Sequence, residues 1–133
     1  MIRRATRADL PVLMGLGRRR VAAHDYGCDD DDLRDFLEAT MAAGVILMTD
    51  RAMIGGHIVR IPWNRARCLA SCAFWYSERP GDGLRLLRAF RAWARDEGAA
   101  EIVVAPTAAD EKARAVLHRL GFEPMETRMK GDC

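Results

Sequence analysis

The sequence predicts a single α/β domain over residues 1–133, built on a central mixed sheet with helices on both faces and ordered β-α-α-β-β-β-α-β-α-β. Three observations predict it. Short apolar runs at residues 45–48, 52–61, 67–76 and 102–105 have the length and β-branched or aromatic content of strands. Four other segments place apolar residues at helical spacing. Strands follow one another directly in the middle of the chain and alternate with helices later, so antiparallel neighbours and parallel crossovers share one sheet.

The elements are taken in order. Residues 1–6 are short and partly alternating, as an edge strand is. Asp9 is placed to cap a helix from Leu10, with Pro11 in its tolerated first turn. Leu10, Leu13, Met14, Leu16 and Val21 give that helix a stripe weakened by Gly15 and Gly17. The acidic residues 29–32 precede Leu33, Phe36, Leu37, Thr40 and Met41, a second helix whose positive end they favour and which Gly44 stops. Two strands, 45–48 and 52–61, are joined at Thr49-Asp50-Arg51, and a turn at Pro62-Trp63-Asn64 leads into a nearly continuous apolar strand over 67–76. After the Gly- and Pro-rich break at residues 78–83, a helix runs to about Glu97. Leu84, Leu87, Phe90 and Ala94 line one side of it, and Arg85, Arg88, Arg91 and Arg95 a solvated one. A buried strand at 102–105, a helix at 110–120 ended by Gly121, and a last strand over 122–130 complete the chain.

With 21 basic and 19 acidic side chains, the formal charge of +2 gives no bulk attraction to nucleic acid or membrane, and neither is expected as a partner. Cys28, Cys68, Cys72 and Cys133 form no CxxC pair and have no histidine at finger-like spacing, which argues against a metal site. They read as reduced thiols of a cytoplasmic protein without a signal peptide.

A strand, a glycine-bearing turn and a helix start make a physical anion site, because glycines let backbone approach a phosphate and free amides point at it. Taken alone, Gly81 and Gly83 make only a tight turn. The stretch Phe74-Trp75-Tyr76-Ser77-Glu78-Arg79-Pro80-Gly81-Asp82-Gly83-Leu84-Arg85-Leu86-Leu87 resembles the acetyl-CoA-binding core of the GNAT N-acetyltransferase superfamily, whose turn reads Gln/Arg-x-x-Gly-x-Gly/Ala. The run Leu117-His118-Arg119-Leu120-Gly121-Phe122 is similar to the family's penultimate helix and its Gly-Phe exit. The resemblance covers the whole chain and is strongest to short members from phages and prophages. Three positions depart from the pattern: Glu78 stands for Gln or Arg, Leu117 for a frequent tyrosine that protonates the departing thiolate, and Asp110 for a frequent asparagine.

The resemblance implies acetyl-CoA as co-substrate and a small-molecule or peptide amine as acceptor, with homodimers common among small members. It places pyrophosphate on the backbone of Arg79, Gly81, Asp82, Gly83 and Leu84, with Arg79, Arg85 or Arg88 neutralising phosphates. It lays the pantetheine arm along Phe74, Trp75 and Tyr76, the amide near Trp75 or Tyr76 holding the thioester carbonyl.

Tyr76 is the candidate acid for the leaving sulfur and His57, after Gly55-Gly56, the candidate base; a packed aromatic and a structural strand histidine are their bland counterparts. His24 and Tyr26 lie in a segment that borders the acceptor in the family, or simply in a solvent loop. His118 is expected to face water, residues 29–32 to cap a helix rather than draw a cation, and Trp63 and Trp75 to be buried. An active enzyme competes with a module of the same fold that has lost turnover, and with a structural protein that binds no cofactor.

Overall fold

Five strands make one sheet in the order β1-β2-β3-β4-β5: β1 (Arg3–Arg4), β2 (Gly44–Met48), β3 (Ala52–Ile61), β4 (Asn64–Ser77) and β5 (Glu101–Val103). The first four are antiparallel neighbours and β5 joins β4 in parallel, as direct connections early and a helical crossover late require. The computed structural model describes residues 1–24, 26–106 and 110–133. Among them are four α-helices: α1 (Leu10–Val21), α2 (Asp30–Ala43), α3 (Asp82–Asp96) and α4 (Glu111–Arg119). None is long and apolar enough to cross a membrane.

The period of two along the strands divides the core in two. Ile46, Met48, Met53 and Phe74 point to one face and bury against Leu13, Met14 and Leu16 of α1 and Leu37 of α2. Val45, Ala52, Ile54 and Ala70 point to the other and meet Leu86, Leu87, Phe90 and Ala94 of α3 and Leu117 of α4. Helices therefore cover both faces, as expected.

At three places the structure departs from the sequence reading in detail. Asp9 precedes α1 without capping it: its carboxylate accepts from the Thr6 amide (2.8 Å) and from Arg3 (2.7 Å), closing a short 3₁₀ turn over Arg7–Asp9. The expected final strand over 122–130 is absent. Pro124 removes a ladder donor, charged Glu123, Glu126 and Arg128 interrupt the run, and Met125 and Met129 stay exposed. Instead the Phe122 ring lies under the Arg91 guanidinium, 4.8 Å away, and a groove of about 440 Å³ separates residues 121–125 from the outer edge of β5. Trp63, expected inside, is exposed at its turn.

Candidate functional site

The parallel pairing of β4 with β5 is confined to Leu69, Ala70 and Ser71 against Glu101, Ile102 and Val103. Beyond Ser71, β4 runs on to Ser77 with no strand on that side among the described residues, which leaves a cleft along that edge ending at the N-terminus of α3. A bulge marks its inner end. Gly55 opposes Phe74 and Gly56 opposes Cys72, leaving Ala73 as the extra residue. Glycine is required at both partners: a Cβ on Gly55 would lie 2.4 Å from Phe74 Cζ, and one on Gly56 2.1 Å from the Ser71 carbonyl oxygen.

At the outer end the turn is built for exposed amides. Gly81 precedes α3 at φ 87°, a conformation side chains resist. The Ser77 hydroxyl donates to the Arg79 carbonyl (2.8 Å) and the Asp82 amide donates back to the same oxygen (3.3 Å). The amides of Gly81, Gly83 and Leu84 find no acceptor among the described residues. Trp75 Nε1 donates to the Gly83 carbonyl (2.9 Å) and pins the first turn of α3 to β4. Three free amides at a helix N-terminus favour an anion by charge and by hydrogen bonding.

The charged groups around the turn are sorted by two carboxylates. Asp82 is fully buried, yet accepts from Thr49 Oγ1 (2.9 Å) and is paired with Arg85 and, at 3.6 Å, with Arg79. Burial raises its pKa, but the Thr49 and Arg85 hydrogen bonds and the two guanidinium charges outweigh it, and the net shift is downward. Asp82 thus turns inward and holds Arg79 and Arg85 at the turn, where Arg79 also meets Asp50 (3.0 Å). Arg88 is exposed one turn on.

Glu78 does not face this site. It is bidentate to Arg19 of α1 and accepts from Tyr76 Oη (2.9 Å), which removes the clash a carboxylate would have with a phosphate. The Arg19 hydrogen bond holds the Glu78 carboxyl below its usual range. The Tyr76 phenol is pushed upward by burial and by Glu78, against the opposing charge of Arg19, so it is a protonated donor at neutral pH.

Strand parity sets the remaining candidates. Tyr76 packs on the face covered by α1 and α2, and His57, opposite Gly44 and Ser71, projects to the same face. His57 is half-buried and makes no hydrogen bond to a described residue. Phe74 is buried in that core, while Trp75 packs on the α3 face and is half-buried. Leu84 is half-buried at the turn. Leu117 is 6% exposed and seals the α3–α4 core, so this position offers no acid to the cleft. Asp110 caps α4 by accepting from the Ala113 amide (3.0 Å), and His118 faces solvent. Asp29 caps α2 by accepting from the Asp32 amide (3.0 Å) and Asp30 pairs with Arg18 (2.8 Å), so the acidic run serves the helix as expected. Among the described residues no three His, Cys, Asp or Glu side chains form a metal site.

Sequence reasoning passed over Thr49 and Arg19. The signal at Arg18-Arg19-Arg20 was present as charge density, but nothing in the spacing links it to Glu78 or to the cleft.

A mixed sheet whose parallel pair splays beside an amide-bearing helix start is the GNAT fold. The chain matches the solved structure of a mutant BH1408 protein from Bacillus halodurans over 100% of its length and 99% of that chain, with a TM-score of 0.83 and 17% identity. It matches aminoglycoside N-acetyltransferase AAC(6')-Iy in complex with CoA over 100% of its length and 93% of that chain, with a TM-score of 0.78 and 18% identity. The aminoglycoside 6'-N-acetyltransferase AAC(6')-IG from Acinetobacter haemolyticus matches over 100% and 97%, with a TM-score of 0.75 and 16% identity. Identities this low establish the fold. The sequence matches no protein-family model and no curated protein.

Proposed function

We propose that the protein is an acetyl-CoA-dependent N-acetyltransferase that moves the acetyl group to a primary amine by direct attack. The observation that carries this reading is the cleft between β4 and β5, which ends at the free amides of Gly81, Gly83 and Leu84. A pyrophosphate suits the amides, and an extended amide-containing arm suits the unpaired edge of β4, to which it would add like a strand. The same fold in AAC(6')-Iy has been solved with CoA and with a bisubstrate analogue. Arg79, Arg85 and Arg88 supply the countercharge, and Gly81 and Gly83 the clearance.

In this reading the neutral amine nitrogen attacks the thioester carbon, an N–C bond forms and the C–S bond breaks. The proton leaving the nitrogen goes to a base, with His57 the side chain proposed on the α1–α2 face. The thiolate is stabilised by the Tyr76 phenol. Because the Tyr76 pKa is raised above an already high value, the phenol donates a hydrogen bond to the sulfur more readily than it surrenders its proton. Tyr76 must release Glu78 to do so. Alignment of the two substrates supplies most of the acceleration. The enzyme belongs with the short members of phage type and works in the cytoplasm, where its four cysteines stay reduced.

A second reading, a module that binds the co-substrate without turnover, is favoured by Leu117 in the core, which leaves Tyr76 as the phenol nearest the cleft. Free thiol measured with acetyl-CoA and a panel of primary amines separates the two. Amine-dependent release supports the enzyme. Saturable acetyl-CoA binding with no release from any amine supports the module.

A further inference from the structure

The turn between β2 and β3 grips the start of α3 through successive contacts. The Glu78 amide donates to the Arg51 carbonyl (2.8 Å), the Arg79 guanidinium meets Asp50 (3.0 Å), and Thr49 Oγ1 donates to Asp82 Oδ2 (2.9 Å). Glu78, Arg79 and Asp82 all belong to the glycine-bearing break at residues 78–83. The last of these contacts is the buried one: Thr49 is 4% exposed and Asp82 0%. A threonine hydroxyl has a single proton to give. The Arg51 amide donates to Thr49 Oγ1 (3.1 Å), which fixes the oxygen from one side while its proton is aimed at Asp82.

Asp82 is the first residue of α3, so its carboxylate is an anion tethered at the helix end that would receive a phosphate. Such a charge stabilises the positive end of its own helix and repels a second anion there. It can share the turn with a pyrophosphate only while it is kept inside. Arg79 and Arg85, which also pair with it, are poorly suited to that task. Their side chains are 44% and 61% exposed, and a long exposed side chain follows a carboxylate outward as readily as it holds one in. Among the described residues, Thr49 is the buried partner that draws the carboxylate inward.

We infer that Thr49 is a positioning residue for the co-substrate, holding the Asp82 carboxylate away from the amides that take the phosphate at the start of α3. The inference rests on the acetyl-transfer reading above and extends its site to the β2–β3 turn. Thr49 touches no substrate itself and acts through Asp82. A bond that merely fastened the turn to α3 would stabilise the fold without keeping one negative charge from another.

Calorimetric titration with acetyl-CoA compares wild type, Thr49→Val, Asp82→Asn and the double variant, each checked for cooperative melting. Thr49→Val keeps the shape of the side chain and removes its proton, which releases the carboxylate. Affinity should then fall on the order of 10-fold, as a charged hydrogen bond is worth. Thr49→Ser, which keeps the hydroxyl, should retain most of the affinity. In the Asp82→Asn background no carboxylate is left to release, so adding Thr49→Val should cost no more than about twofold. The double variant should accordingly bind more tightly than Thr49→Val alone, whereas a fastening role makes the double variant the weaker. Equal affinity of Thr49→Val and wild type, or a loss as large in the Asp82→Asn background as in the wild type, would overturn the inference. If Thr49→Val alone does not fold, the Asp82→Asn pair still decides, because it strands no buried charge; a loss of about 10-fold there would be equally fatal. No acetyl-CoA binding by folded wild-type protein would instead remove the underlying reading.

Discussion

Arg19 and Glu78 stand 59 positions apart in the sequence and are joined in the fold, with the Tyr76 phenol as the third member. Their contact explains why a carboxylate is tolerated at the start of the turn: it is neutralised from α1 and turned from the amides. If Tyr76 stabilises the departing thiolate, Tyr76→Phe should lower kcat by about 100-fold or more while leaving the acetyl-CoA dissociation constant within about twofold. An unchanged kcat would clear Tyr76 of that role. Cys72 is chemically quiet for a different reason. Burial pushes its thiol up to about 12, against a backbone contact at Phe74 and the charge of Arg20. At pH 8 a chromogenic disulfide should label exposed Cys28 and Cys133 within minutes and half-buried Cys72, whose thiol stays protonated, far more slowly. Labelling of Cys72 at the rate of Cys133 in the native protein would contradict the burial on which that shift depends.

At the scale of elements, the two ends of the cleft depend on glycines of different kinds. Gly81 has open space around its Cα and needs its residue type only for φ 87°, so Gly81→Ala should cost about 1–2 kcal/mol of left-handed strain. Gly56 has no such backbone need, but its Cβ would meet the Ser71 oxygen at 2.1 Å and Phe90 Cζ at 2.8 Å. Gly56→Ala should therefore cost about 1–3 kcal/mol or more by overpacking, and should disturb the bulge. Denaturant unfolding of the two variants checks both, and a neutral Gly56→Ala would mean that β3 and β4 are less tightly joined than the register implies. The glycine turn, the strand before it and the helix after it were legible in the sequence because each rests on local rules of periodicity and turn chemistry. The bulge was not, since it depends on which residues of β3 and β4 oppose one another. Nor was the loss of the last strand: Phe122 and the two methionines imitate a strand pattern, while Pro124 and the charges decide against it. Asp9 and Asp110 show the same contrast. Asp110 caps its helix as the sequence allows, whereas Asp9 is drawn off by Arg3, a partner on another element.

For the whole molecule, acid should be the destabilising direction. Arg3 holds Asp9 below the ordinary carboxylate range, Arg18 does so for Asp30, Arg79 for Asp50 and Arg19 for Glu78. Asp82, raised by burial but lowered further by Thr49 and Arg85, adds a fifth. Each binds its proton less readily folded than unfolded, so the stability they give is complete above their unfolded pKa values of about 4 and fades as the pH falls below them. The melting temperature should be level from pH 7 to about 5 and fall steeply below about 4, with a shallower fall in Asp9→Asn. A decline that begins near pH 6.5 would implicate a histidine instead. The architecture was legible at this scale because alternating strands and amphipathic helices specify their own faces. The partition of charge was not, because every pair that orders the cleft except Arg85–Asp82 and Arg79–Asp82 links distant parts of the chain.

The central claim is that the turn at Gly81–Leu84 binds the pyrophosphate of acetyl-CoA, and calorimetric titration of wild-type protein and Gly83→Glu with acetyl-CoA tests it most directly. A Cβ at Gly83 would have ordinary clearance, 3.4 Å from Ser77 Cβ, so the variant should fold and melt like the wild type. The account predicts saturable micromolar binding by the wild type and none by Gly83→Glu, whose carboxylate occupies the anion position. Absence of binding to folded wild-type protein, or equal affinity in the two, would contradict it.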